Sequence, residues 1–67
     1  MNITTPADLR KLVGDSHLAG LDAEHIVVLI HEARSVLKET GNMAHAADAV
    51  RRLAASLRRA EGANGAG

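Results

Sequence analysis

The chain has no cysteine, phenylalanine, tryptophan or tyrosine, and a single proline among its 67 residues. Without cysteine there are no disulfides, one of the devices by which small domains offset a thin core. Without aromatics the chain forgoes the large area each ring buries, and it lacks the stacking platforms that usually hold single-stranded nucleic acid. A core must therefore be assembled from Leu, Ile, Val, Ala and Met. A domain of this size buries only about 60% of the surface its unfolded chain exposes, and thin aliphatic layers add little, so a second chain is the expected supplement.

Long apolar runs are missing as well. No segment approaches the roughly 18 consecutive apolar residues of a membrane span, and the N-terminus carries no basic region followed by an apolar stretch. No membrane partner is expected, and the expected location is the cytoplasm. Nor is there an excess of charge of one sign: eight basic and eight acidic side chains cancel. The molecule as a whole has no long-range field to steer it to nucleic acid or an anionic surface, so any such role must come from a local patch. Abundant Ala, with Arg in excess over Lys, is compatible with a GC-rich bacterial or phage genome.

What is present is helix punctuation. Thr5-Pro6-Ala7-Asp8 is a start signal: Thr5 can cap, Pro6 suits the first helical position, and Asp8 places negative charge on the first turn. Leu9, Leu12 and Val13 form its apolar stripe and Gly14 stops it, giving a short helix over 6–13. Residues 15–20 form a connection anchored by Leu18. Asp22 then caps a longer helix, with Leu21 placed to staple onto Ile26, and Gly41 ends it with a left-handed cap. This second helix spans 22–40. The run Ile26 to Ile30 is rich in β-branched residues, but no second strand candidate exists to pair with it.

Asn42 can cap a third helix directly, which leaves a turn so short that the second and third helices must be neighbours. Helix three, over 43–61, carries a heptad-like seam of Met43, Ala46, Val50, Leu53, Leu57 and Ala60. On helix two, Ile26, Ile30, Leu37, Ala33, Ala23, Leu29, Val36 and Val27 occupy an arc of about 180° at 100° per residue. One facing helix does not require so wide an arc. The expectation is an all-α domain over residues 1–61, a short N-terminal helix followed by an antiparallel helical hairpin. Two hairpins would dimerise into a four-helix bundle. Ile26, Leu29, Ile30, Ala33, Leu37, Val50, Leu53 and Leu57 should form the core and intersubunit seam. Residues 62–67 are glycine-rich, with nothing to bury, and are expected to form a disordered tail.

The most conspicuous polar feature is Arg51-Arg52, repeated seven residues later as Arg58-Arg59. Both pairs fall away from the apolar seam. Guanidinium forks suit carboxylates and phosphates. Three readings stand: a solvated face in which Asp48 pairs with Arg51 or Arg52 and Glu61 with Arg58, an acidic protein surface, or the backbone of duplex DNA or structured RNA. In length and layout alone the chain is similar to the Rop-type RNA-binding hairpins, which dimerise into four-helix bundles; no motif is shared and no residue is carried over. Lys38-Glu39-Thr40-Gly41 before a helix suggests a ribbon-helix-helix DNA-binding unit, but that fold needs a strand near 25–29, where the cap at Asp22 starts a helix.

Val28 falls outside the apolar arc of helix two, among Glu24, His31, Ser35 and Glu39, and is the apolar element expected to join the arginines in partner contact. Four histidines invite a metal reading, yet His25 with Glu32 and Glu24 with His31 lie at the edge or on the polar side of their helix, whereas bundle metal sites project ligands inward. No metal or cofactor is expected. Ser16 and His17 are adjacent in a connection without an orienting third group or an oxyanion loop, so no catalysis is expected. The sequence points to a small regulator, inhibitor or chaperone-like adaptor, homodimeric and protein-binding; the alternative is a nucleic-acid-binding regulator acting through the same arginines.

Overall fold

The computed structural model describes residues 2–66, with residues 61–66 by backbone alone, so the tail expected over 62–67 lies outside the fully described residues. Three helices carry the fold: α1 (Pro6–Val13), α2 (Ala23–Thr40) and α3 (Met43–Ala66), with a short 3₁₀ turn at Asp15–His17 between the first two. Each starts where the sequence places a cap, because the first amides of a helix have no partner within it and a short polar side chain supplies one. Helix three was expected to end at residue 61; its backbone continues to Ala66.

At α1 the cap is reciprocal. Thr5 Oγ1 accepts from the Asp8 amide at 3.2 Å, and Asp8 Oδ2 accepts from the amides of Thr5 and Thr4, both at 3.1 Å. These bonds, the Thr4 amide first, hold the exposed Asp8 carboxyl below its ordinary pKa, since they favour the charged form. Gly14 then leaves the helix at φ 83°, a conformation open to glycine and strained for other residues.

The hairpin is specified just as locally. Asp22 Oδ1 accepts from the His25 amide at 3.1 Å. At the far end Gly41 adopts the left-handed conformation, φ 64° and ψ 17°, and its N–H donates to the Leu37 carbonyl at 2.8 Å. Asn42 follows at once, its Oδ1 accepting from the Ala44 and His45 amides at 2.9 and 3.2 Å. Two residues thus end one helix and begin the next, and α2 and α3 pack against each other as a hairpin.

The core lies where the three helices meet. Leu29, Ile30 and Ala33 of α2 are buried against Ala47, Val50 and Ala54 of α3, and Ala46 is buried as well. Small side chains on α3 let the two backbones approach closely. Helix α1 packs on both partners and contributes Leu9 and Val13, with Ile3 ahead of it and Leu18 behind it. This accounts for part of the broad apolar arc of α2, since α2 packs on both α3 and α1 of the same chain, while Ala23 stays exposed and Ile26, Val36 and Leu37 half-buried. Val27, at the margin of that arc, stays 53% exposed.

Among the described residues no helix is long and apolar enough to cross a membrane.

Candidate partner-binding surface

The seam residues divide into two groups. Leu29, Ile30, Ala33 and Val50 are buried within one chain, whereas Ile26, Leu37, Leu53 and Leu57 are half-buried and pack at the margin of the core. On α3 the fully covered stripe is Ala46, Ala47, Val50 and Ala54, not a strict heptad seam, and Ala60 is exposed. Ala47 and Ala54 escaped sequence reasoning because alanine is at home on either side of a helix. Ile3 escaped it because it precedes the first cap.

All four arginines are exposed. Successive residues turn by 100°, which places Arg51 and Arg58 along one line and Arg52 and Arg59 along a second, the whole spanning about 120° with the exposed Ala55 between the two lines. The core stripe lies opposite the Arg52 and Arg59 line, while Ala47 and Ala54 border the Arg51 and Arg58 line. A seven-residue step advances about 10.5 Å, so the face presents two pairs of guanidinium groups at that interval.

Local contacts engage these side chains unequally. Arg52 Nη2 lies 3.0 Å from Asp48 Oδ2, one turn earlier on α3. Arg58 Nη1 reaches the Ser16 carbonyl at 3.4 Å, tying the 3₁₀ turn to α3. Arg59 Nη2 donates to Ser56 Oγ at 3.3 Å, and Arg51 has no hydrogen bond or ion pair among the described residues. The Asp48 pair is the one expected of a solvated face, in its Arg52 form. The Glu61 side chain lies outside the described residues. An exposed pair at helical spacing contributes only about 0.3–0.5 kcal/mol, so Arg52 remains open to a stronger partner.

Val28 is 45% exposed, on a side of α2 turned away from Leu29 and Ala33. The arginines likewise face outward from α3. Val28 and the arginines are thus exposed on different helices.

A groove of about 340 Å³ opens between α1, the connection and the start of α2, lined by Pro6, Arg10, Asp15, Leu18, Ala19, Leu21 and Ile26. Arg10 Nε and Asp15 Oδ1 lie 3.5 Å apart at its rim, both largely solvated. Leu21 and Ile26 share this groove, in keeping with the staple position read from the sequence.

The histidines are dispersed. His25 is half-buried, its Nδ1 3.4 Å from Asp22 Oδ1, while His31 and His45 are exposed. No group of three or more potential metal ligands gathers among the described residues. The Ser16 and His17 side chains make no hydrogen bond among the described residues, and the Ser16 carbonyl serves Arg58.

Comparison with protein-family models, with curated proteins and with solved structures gives no match.

Proposed function

We propose that this protein is a small non-enzymatic binding module, a regulator, inhibitor or chaperone-like adaptor, whose arginine face on α3 engages a carboxylate-bearing protein surface. The carrying observation is the display of four exposed arginines in two heptad-spaced pairs on α3, with Asp48 the one carboxylate engaged there among the described residues. Guanidinium forks recognise carboxylates in bidentate fashion, and paired forks at a fixed interval favour a partner whose acidic groups recur at the same spacing.

Self-association enters this reading on altered grounds. Leu29, Ala33 and Val50 have no accessible surface left to offer a second chain. A dimer seam would have to draw on the half-buried Ile26, Leu37, Leu53 and Leu57.

The test is capture of binding proteins by tagged wild type and by Arg52→Glu. The charge reversal should keep the helical circular dichroism spectrum and lose the partner. Normal capture by the variant would reduce the stripe to solvated surface. Nucleic acid is the competing occupant, and one property makes it easy to detect: a chain without Trp, Tyr or Cys is nearly transparent at 280 nm. A 260 nm band on the purified protein, or a gel shift on duplex DNA or structured RNA at low salt, would overturn the protein-binding reading.

A further inference from the structure

Charge in this molecule is neutral in sum but divided between helices. Four of the six arginines lie on α3, while α2 carries Glu24, Glu32 and Glu39 beside Arg34 and Lys38. At 100° per residue these three carboxylates fall with Val28 and Ser35 inside an arc of about 80°. None of the three forms a hydrogen bond or ion pair among the described residues. The arc is therefore an acidic stripe with an exposed aliphatic residue in it, bordered by His31. Its dimensions match those of the arginine face: Glu32 and Glu39 are seven residues apart, as are Arg51 and Arg58 and, again, Arg52 and Arg59. All three intervals are about 10.5 Å along a helix axis. Between the arginine lines lies Ala55, small enough for another helix to come close and for Val28 to settle against it.

We propose that the partner of the arginine face is the acidic stripe on α2 of a second copy of this chain. The inference rests on the arginine face being a protein-binding surface and names its occupant. No ion pair joins the two stripes within one molecule among the described residues, so both are available to a second copy. The contact is heterologous: each copy offers α2 to one neighbour and α3 to another. Unless the rotation between copies closes a ring, such a contact propagates, and the protein should form assemblies larger than a dimer. Because the arginines, Glu24 and Glu39 are exposed and Glu32 only half-buried, salt should weaken the assembly; the screening length shrinks to about 3 Å at 1 M.

Light scattering after size exclusion tests this with wild type and two double variants, each checked for helical circular dichroism. Arg51→Glu with Arg59→Glu cancels the net charge of the four arginine positions and leaves the Asp48–Arg52 pair intact. Glu32→Arg with Glu39→Arg makes the α2 stripe basic like the arginine face. Wild type should gain mass with concentration at low salt, beyond two copies, and revert to single chains at high salt. Each double variant alone should associate about tenfold or more weakly, and an equimolar mixture of the two should recover wild-type assembly. Overturning results are a wild type that stays monomeric, assembly indifferent to salt, wild-type association by either variant alone, or a mixture that fails to associate. If wild type stays monomeric yet captures another protein through Arg52, the occupant is wrong and the binding face stands; if it does neither, both readings fall.

Discussion

The two sides of α3 are built from different materials and do different work. Toward α2 and α1 it presents Ala46, Ala47, Val50 and Ala54, all buried; outward it presents Arg51, Arg52, Arg58 and Arg59, all exposed. The inner side is made mostly of small side chains, which permit a neighbouring helix to approach closely. The outer side works by reach, with long side chains that contribute little to stability and cover much surface. Stability and recognition are thus separable along a single helix, and substitutions on the two sides should differ in both size and kind of effect.

The inner side should show the largest losses. Val50→Asp places a charge with no partner in the centre of the core and should abolish the cooperative thermal transition seen by circular dichroism. Leu29→Ala, in the same buried cluster, should cost about 2–5 kcal/mol in denaturant unfolding, most of what a domain of this size has to lose. Ala54→Leu tests close approach itself: if α3 lies as near its neighbours as the buried alanine implies, the added bulk destabilises by about 1–3 kcal/mol. An unchanged denaturation midpoint would mean that the helices have room between them.

Thr5→Ala removes one half of the α1 cap and should cost about 0.5–2 kcal/mol. Its other half gives the fold a pH dependence of known sign. Asp8 has a lowered folded-state pKa, so its contribution is fully present above the ordinary carboxylate value and is lost as pH falls through the lowered one. Acid should therefore loosen α1, and Asp8→Asn should remove this component of the acid response, read as a flatter midpoint-against-pH curve. The outer side should give the smallest change: Arg52→Glu should leave stability within about 0.5 kcal/mol of wild type. A larger loss would break the division between the two sides of the helix.

What could be read in advance was what is encoded locally. Thr5, Asp22, Gly41 and Asn42 act on amides and carbonyls within four residues of themselves, and each sits at the boundary it marks. The all-helical hairpin follows from them. Contacts between distant segments were less legible. The arc on α2 showed that more than one neighbour was needed, but periodicity cannot say whether the extra neighbour belongs to the same chain, and here α1 supplies part of the cover. Ala54 carries no signal of its own, and the hydrogen bond from Arg58 to the Ser16 carbonyl joins residues that no pattern connects. Of the candidate surface, the exposure of the arginines was legible because it depends on helical phase alone. Where Val28 lies relative to them was not, since that depends on how two helices turn relative to each other.

The tight turn at Gly41 and Asn42 also bears on the order of events during folding. It joins two helices whose contacts begin a few residues apart in sequence, so the hairpin closes with little loss of chain entropy. Ile3, Leu9 and Val13 must find α3 across the whole of α2. The hairpin should thus assemble first and the N-terminal segment dock onto it afterwards. Run in reverse, that order should make residues 2–13 the first to peel away, and the protein's lifetime against proteolysis should then follow the hold of its opening helix.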